Sequence, residues 1–300
     1  MTEFGGSGSA APDLLPLVSP AATSGLLEVF RRRYLLRLLV KREISARYQE
    51  SLLGLVWSYI NPLSQFFIYF VVFGIVMKRG GGIETFAIHL FTGLIIVHFF
   101  SETLNAGTRS IVRNRQMVQK MALPREMFPV ASMLVSAFHI GPQLVILLIA
   151  CALTGWSPDL VGVGAGVLGL TISMALGTGL ALILSAANVF LRDTSNAVTV
   201  LTNFVRFGVP MMYPFSYVAE SGIGDRWVEV YLANPVTEAV LLMQRCFWVG
   251  TTSDPSATIG EHMPDHLFLR GFIALAVSAV VMVVGQVVFS RLENKMPERL

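Results

Sequence analysis

Charged residues are scarce in this sequence. Asp, Glu, Lys and Arg make up only 14% of its 300 residues, whereas they make up about a quarter of an average soluble domain. Hydrophobic residues reach 54%, and the mean hydropathy is +0.64. The composition therefore excludes an ordinary soluble domain and predicts a protein that lies in a membrane.

Cysteine is also scarce, and the common nucleotide and metal motifs are missing. Cys151 and Cys246 lie far apart in apolar surroundings, which excludes a disulfide framework and a zinc pattern. The sequence contains no G-x-x-x-x-G-K-[ST] phosphate loop, so any ATP-driven step needs another chain and we expect no cofactor in this one. In the segment EHMPDH, Pro264 interrupts the helix that would align His262 with His266, so we predict no metal site.

Lys and Arg are absent from the first 25 positions, which are rich in Gly, Ser, Ala and Pro. Residues 1–25 do not resemble a signal peptide, and we expect a flexible cytoplasmic tail. Residues 26–50 differ, because Arg33, Arg37 and Lys41 recur every four positions among Leu, Phe and Tyr. This pattern predicts an amphipathic helix on the inner membrane surface, where basic side chains meet anionic lipid headgroups.

Six segments are long and apolar enough to span a membrane, since a span needs about 20 apolar residues. They cover residues 57–77, 86–104, 128–153, 160–187, 196–217 and 267–289. We therefore predict an all-α membrane protein with a transmembrane domain over 51–290 and a C-terminal segment over 291–300. Most of the Lys and Arg residues flank the spans on one side, which places both termini in the cytoplasm of a plasma-membrane protein.

Residues 226–250 are apolar enough to suggest a seventh span, but their charges oppose it. Glu229, Glu238 and Arg245 would each cost a few kcal/mol at membrane depth, and Asn234-Pro235 breaks the helix. We predict instead two short helices that dip into the outer leaflet and return. Backbone broken at that depth has to be buried in protein or line a cavity.

Residues 105–126 form a strongly basic cytoplasmic loop whose middle has the pattern of a short helix. Apolar side chains such as Ile111, Val118 and Met121 lie among its charges. The loop is either a solvated segment that follows the positive-inside rule or a docking surface for a soluble partner.

Aromatic residues of the first span recur on one helix face. Tyr59, Phe66, Phe70 and Phe73 fall within about 60° of one another at 100° per residue. Such a stripe either stacks against sugar rings or packs on lipid and neighbouring helices.

Arg206 lies deep in the fifth span, where an arginine either has a partner or extends toward the cytoplasm. Glu102, near the inner end of the second span, is one candidate partner. In the fourth span, Ser173, Gly177, Ala181 and Ser185 recur every four positions, which favours close helix packing.

Five segments, taken together and in order, resemble a known family. They are RYQESLLGLVWSYINPL, QKMALPREMFPV, NVFLRDTSNAV, FGVPMMYPFSYV and YLANPVTEAVLLMQRCFW. The sequence resembles the ABC-2 type permeases that export polysaccharides such as O-antigens, teichoic acids and capsular glycans. The resemblance covers about residues 28–290, and within the family the chain is most similar to mycobacterial galactan exporters.

The resemblance implies a homodimer of six-span subunits, paired with two copies of a separate ATPase that holds ATP and Mg. It implies no nucleic-acid partner, and membrane lipids surround the spans. It further implies four functional sets of residues. These are a substrate channel (Tyr59, Phe66, Phe70, Phe73, Arg206, Phe207 and Tyr213), a site where a lipid-pyrophosphate headgroup enters (Arg42 and Arg47), an outer gate (Trp227, Tyr231, Asn234 and Pro235) and ATPase coupling residues in the 105–126 loop (Arg109, Arg113, Arg115 and Lys120).

The sequence thus predicts the membrane subunit of an ABC exporter of a lipid-linked polysaccharide, with no covalent chemistry of its own. Two alternatives stay open at this stage. One is a permease of the same family that exports a drug or a lipid. The other is a membrane-embedded lipid-sugar transferase, which would need clustered carboxylates or histidines on one side of the membrane, whereas the acidic residues here are scattered.

Overall fold

The computed structural model describes residues 25–48, 56–76, 83–121, 123–296 and 299. Nearly all of the predicted tail over 1–25 lies outside the described residues, and so does the loop that contains Lys78 and Arg79. All regular structure within the described ranges is helical, in agreement with the all-α prediction.

Thirteen α-helices follow one another along the described chain. They are α1 Leu26–Arg31, α2 Arg33–Tyr48, α3 Trp57–Tyr69, α4 Phe86–Arg113, α5 Arg115–Lys120, α6 Met127–Leu153, α7 Leu160–Phe190, α8 Thr194–Phe207, α9 Phe215–Ala219, α10 Asp225–Leu232, α11 Pro235–Phe247, α12 Pro255–His262 and α13 Leu267–Leu292. A π-helix, Phe70–Val76, continues α3, and short 3₁₀ turns follow α11 and α13.

Among the described residues, five helical segments are long and apolar enough to cross a membrane by length and composition. They are Tyr59–Val76, Phe86–Arg113, Met127–Leu153, Leu160–Phe190 and Leu267–Lys295. Five of the six predicted spans overlap them. Helix α4 is longer than predicted, so residues 105–113 belong to it and not to the following loop.

The predicted fifth span, residues 196–217, is not one continuous helix. Helix α8 has 14 residues, which rise about 21 Å, whereas the apolar core of a bilayer is about 30 Å thick. Gly208 ends the helix, and Pro210 follows two positions later without a backbone N–H for a further turn. The chain then turns and forms the short helix α9.

Helix α7 is the centre of the packing and touches α4, α6, α8, α11 and α13. Small residues permit the close contact of α7 with α4, as the sequence predicted for α7. A Cβ added at Gly107 of α4 would lie only 2.5 Å from Cβ of Ala181 in α7. Toward α13 the backbones themselves meet, and a Cβ added at Gly285 would lie 2.3 Å from the carbonyl oxygen of Gly179. No side chain larger than hydrogen fits at Gly285 without displacing one helix.

Polar contacts define the two ends of the bundle. At the end that we call the basic end, Asn188 Nδ2 donates to the carbonyl oxygen of Thr108 at 3.1 Å, and Arg125 donates to that of Glu293. At the opposite end, Trp248 Nε1 donates to the carbonyl oxygen of Glu84 at 2.8 Å. Helices α2 and α5 lie at the basic end, whereas α10 and α12 lie at the opposite end.

The segment that the sequence places at the outer leaflet forms α10 and α11, which meet at Asn234. The side chain of Asn234 accepts a hydrogen bond from the amide of Val236 at 3.0 Å and so begins α11. Helix α11 is largely buried between α4, α7 and α13. Helix α12 was not expected from the sequence; Asp254 begins it by accepting from the amides of Ser256 and Ala257.

We expect Gly285→Ala to destabilise the bundle, because its new methyl group would overlap the backbone of α7. Overpacking of this kind costs about 1–3 kcal/mol, and thermal unfolding of the protein in detergent measures it. Gly164→Ala in α7 is the matched control, since a Cβ there meets nothing within 4 Å. Equal melting temperatures for both variants would contradict the close approach of α7 and α13.

Candidate functional site

A cavity of about 360 Å³ lies at the basic end, between α2, α4 and α6. Its volume is at the lower end of the range of small-molecule sites, roughly 300–1,000 Å³. Ten residues line it: Arg42, Glu43, Ala46, Arg47, Ala106, Arg113, Asn114, Ser132, Val135 and Ser136. The predicted headgroup residues Arg42 and Arg47 are both among them.

The helical periodicity of α2 brings its lining residues together. Arg42 and Ala46 are one turn apart, and so are Glu43 and Arg47, so the four share one face near the end of the helix. Leu36 and Leu39 are buried and belong to the apolar cluster at the basic end. This packing holds α2 against α6.

Small residues on the facing helices leave the space open. Ala46 of α2 and Ala106 of α4 end in a methyl group, and Ser132 and Ser136 lie one turn apart on α6. Both serine hydroxyls donate to backbone carbonyls of α6 at 3.1 Å. Their oxygen lone pairs therefore remain available to accept a hydrogen bond from a ligand.

The cavity wall carries three guanidinium groups and one carboxylate. Arg113 forms an ion pair with Glu43, and Asn114 Nδ2 donates to Glu43 Oε1 at 3.1 Å. Arg42 Nη1 lies 3.3 Å from Asn114 Oδ1 and 3.1 Å from Sδ of Met117. The excess of positive charge favours an anionic ligand, and guanidinium groups bind phosphate and carboxylate in bidentate fashion.

Arg47 is fixed by groups deeper in the bundle. Its Nη1 lies 2.5 Å from Glu102 Oε1 on α4, and His139 Nδ1 on α6 lies 2.9 Å from the same oxygen. The Glu102 side chain is only 11% exposed. One carboxylate thus joins α2, α4 and α6 beside the cavity.

The partner of Arg206 differs from the predicted candidate, because Glu102 is occupied by Arg47 and His139. Arg206 Nη1 instead lies 3.4 Å from the hydroxyl of Tyr69 on α3. Tyr69 was missed in the sequence, since it lies beside the predicted aromatic stripe and not on it. Glu43, Asn114 and His139 were missed as well. Their positions along α2, α4 and α6 were the only signal of a shared site that the sequence offered.

Two further tyrosines connect the broken fifth segment to α10. The hydroxyl of Tyr213 donates to the carbonyl oxygen of Phe207 at 3.2 Å, and the hydroxyl of Tyr231 lies 3.5 Å from that of Tyr213. Phe207 itself is 61% exposed. Tyr213, which follows α8, therefore connects Phe207 at the end of α8 with the predicted gate residue Tyr231.

The aromatic stripe of α3 packs mainly on its own bundle. Phe66 stacks on Phe70 at 5.8 Å between ring centroids and meets Phe91 of α4 edge-on at 5.1 Å. Phe73 also packs against the buried core, whereas Phe67 is exposed. Phe66, Phe70 and Phe73 are thus partly buried against the bundle, and their contact with sugar rings stays a prediction.

The predicted gate residues occupy both short helices of the outer segment. Trp227 is exposed on α10, and Pro235 is the first residue of α11. Glu229 of α10 accepts two hydrogen bonds from Arg270 of α13, at 2.8 and 2.7 Å. The guanidinium of Arg270 holds the pKa of the Glu229 carboxyl below its usual value and ties α10 to the bundle.

The four predicted coupling cations separate into two groups. Arg109 donates to the hydroxyl of Thr199 on α8 at 3.2 Å, and Arg113 pairs with Glu43. Arg115 and Lys120 are exposed on α5, whose Val118 is buried and holds the helix against the bundle. Only Arg115 and Lys120 thus present charges on the short helix itself.

The two histidines of EHMPDH belong to different elements. His262 lies in α12, where its Nδ1 is 2.9 Å from the hydroxyl of Ser216, and His266 precedes α13. Within the part of the chain that the structure describes, no three His, Cys, Asp or Glu side chains are arranged to hold a metal ion.

Comparison with known proteins identifies the family that this chain matches. The sequence profile of the ABC-2 type transporter family matches residues 34–248. The O-antigen export system permease protein RfbA of Klebsiella pneumoniae is 26% identical over 270 residues, which are 89% of this chain and 95% of that protein. The Myxococcus xanthus protein with the same description is 28% identical over 221 residues, which are 74% of this chain and 83% of that protein.

We expect Glu102→Ala to destabilise the basic end, because it leaves Arg47 and the 5% exposed His139 without their shared acceptor. Loss of a buried acceptor costs about 1–3 kcal/mol, and more where the groups are charged. Glu102→Gln keeps an acceptor oxygen and should lose less. Thermal unfolding in detergent measures both, and an unchanged melting temperature for Glu102→Ala would contradict the joining role of this carboxylate.

Proposed function

The chain belongs to the ABC-2 type transporter family, and we propose that it is the membrane subunit of an exporter of a lipid-linked polysaccharide. Relatives over most of its length are O-antigen export permeases, and several of its helices are apolar enough to cross a membrane. The finer proposal is that the polysaccharide is a galactan, which the resemblance of the sequence to galactan exporters supports.

The observation that carries the proposal is the cavity with three arginines at the basic end. A lipid-linked polysaccharide carries a diphosphate between its lipid and its sugar, and this diphosphate is the one strongly charged part of the molecule. Arg42, Arg47 and Arg113 supply guanidinium groups for its oxygens. The hydroxyls of Ser132 and Ser136 and the amide of Asn114 are suited to the polar groups of the adjoining sugar.

The basic end faces the cytoplasm in this proposal. Arg113, Arg115, Arg125 and Arg291 lie at this end, as the positive-inside rule requires of cytoplasmic segments. Both termini are then cytoplasmic, in a plasma membrane. The substrate reaches the cavity from the side on which it is made and leaves toward the end that holds α10 and α12.

Two copies of the chain form the path in this proposal. The outward face of α8 presents Asn203, Phe204 and Phe207, and an exposed asparagine in an apolar segment favours a polar or water-filled surface over lipid. Tyr59, Arg206 and Tyr213 complete the sugar-facing surface, together with Tyr69. Phe66 supports it from behind by packing on Phe91 of α4, and Phe70 stacks on Phe66.

The energy comes from two copies of a separate ATPase, which holds ATP and Mg. Helix α5 is the proposed contact, because it is short, lies at the basic end, and presents Arg115 and Lys120 outward. Helix α5 comes directly after the long helix α4, and Asn114 is the single residue between them. This subunit transports and does no covalent chemistry.

Depletion of the protein tests the function directly. We expect lipid-linked glycan to accumulate inside the cell, and its sugar analysis identifies the polymer. The double variant Arg42→Gln and Arg47→Gln should insert normally and still reduce export about tenfold or more, because the diphosphate loses two of its three arginines. Surface glycan and membrane-inserted protein are measured in the same cells.

The double variant Arg33→Gln and Arg37→Gln is the matched control, because it removes two charges from the same helix outside the cavity. Glycan that stays at wild-type surface levels on depletion would contradict polysaccharide export and favour a drug or lipid permease. Equal loss of export in the two double variants would contradict the cavity as the headgroup site.

We expect charge reversal at Arg115 and Lys120 to abolish substrate-stimulated activity of the ATPase, because the partner then meets the wrong charge on α5. Arg192→Glu, an exposed cation between α7 and α8 at the same end, should leave stimulation unchanged. ATPase activity of the reconstituted complex measures both. Unchanged stimulation in the Arg115 and Lys120 variant would contradict α5 as the contact.

A further inference from the structure

Glu43 stands out among the residues that line the cavity, because it alone is acidic. Its side chain is 10% exposed, whereas that of its partner Arg113 is 62% exposed. A carboxylate at this point neutralises part of the charge that an anionic ligand needs. For a site that receives a diphosphate, Glu43 is therefore a direct competitor for the same guanidinium.

The contacts of Glu43 reach the junction between α4 and α5. Asn114 is the single residue that ends α4 and begins α5, and its amide donates to Glu43. Arg113, the last residue of α4, holds the other carboxylate oxygen of Glu43. The carboxylate thus binds α2 to the point from which the short helix α5 starts.

Arg42 strengthens the same connection. It contacts the Asn114 side chain and Sδ of Met117, which is in α5 itself. Glu43 and Arg42 are neighbours on α2, so this helix holds the α4–α5 junction through one acidic and one basic side chain. These contacts fix α5 to α2 on both sides of Asn114.

A diphosphate would replace these contacts. It carries more negative charge than one carboxylate and offers more acceptor oxygens, so guanidinium groups bind it more strongly. When it binds Arg113 and Arg42, Glu43 loses its partner and Asn114 loses its contact with Arg42. The same event that fills the cavity therefore removes the contacts through which Arg42 and Arg113 join α2 to the α4–α5 junction.

We propose that Glu43 is an internal counter-ion of the cavity, that the diphosphate of the substrate displaces it, and that this displacement releases α5. The proposal rests on the proposed function, in which the cavity receives the diphosphate and α5 contacts the ATPase. Glu43 acts as a positioning residue for α5 and restrains ATP hydrolysis until a substrate headgroup arrives. Its removal should produce the released state without substrate.

The test is Glu43→Gln in the complex with its ATPase, reconstituted in vesicles. Glutamine keeps an oxygen for Asn114 but no charge for Arg113. We expect basal ATPase activity to rise about fivefold or more, the lower end of typical coupling between sites, and further stimulation by vesicles containing a polyprenyl diphosphate to be lost. Binding of inorganic pyrophosphate should tighten by a similar factor.

Glu28→Gln is the matched control. Glu28 is 14% exposed and also accepts from an arginine, Arg32, at 2.7 Å, but it lies in α1 away from the cavity. We expect this variant to keep wild-type basal activity and pyrophosphate affinity. Asn114→Ala is a second variant, which removes the amide between Arg42 and Glu43 and should raise basal activity as Glu43→Gln does.

The outcomes separate the counter-ion role from the function of the cavity. If wild type binds pyrophosphate, the double Arg42 and Arg47 variant does not, and Glu43→Gln behaves like Glu28→Gln, then the role of Glu43 is wrong and the headgroup site stands. If wild type binds neither pyrophosphate nor polyprenyl diphosphate, both are wrong. Equal stimulation by vesicles of phosphatidylglycerol alone would assign the cavity to bulk lipid headgroups and overturn the diphosphate proposal.

Discussion

Charge pairing inside an apolar bundle is the constraint on which the arrangement of this protein depends. An unpaired charge at membrane depth costs roughly 2.5–3.5 kcal/mol or more, and the arginines of this chain that lie against the bundle have partners on another element. Arg47 pairs with Glu102, Arg113 with Glu43, Arg245 with Asp159 and Arg270 with Glu229. Each pair fixes one short or peripheral helix against a long one.

The small residues of α7 serve a different purpose from these pairs. They allow α4 and α13 to approach almost to backbone contact, and this approach leaves little volume for any pathway inside one subunit. The cavity at the basic end lies instead at the margin, where α2 covers the junction of α4 and α6. A ligand can therefore reach the arginines without separating the helices that hold the subunit together.

The features that local patterns determine could be predicted from the sequence. Apolar length predicted α4, α6, α7 and α13, and Asn234-Pro235 predicted the separation of α10 from α11. The end of α8 at Gly208 was not predicted, because the apolar pattern continues across the break and outweighed the helix-ending signal of Gly208 and Pro210. The partner of Arg206 also escaped prediction, since it depends on how α3 and α8 meet and leaves no periodic signal.

The candidate site also combines residues that could be named from the sequence with residues that only the fold brings together. The resemblance to a known family pointed to Arg42 and Arg47, but nothing in the sequence distinguishes Glu43 from other carboxylates, and only the fold brings Arg113 beside it. Arg113 is predicted to couple to the ATPase and also lines the cavity, and Arg115 begins the very next helix. In the proposed function, recognition of the headgroup and contact with the ATPase therefore lie within one turn of chain. The proposed displacement of Glu43 needs no separate route between two distant sites, because Arg113 lies next to Asn114, at which α5 begins.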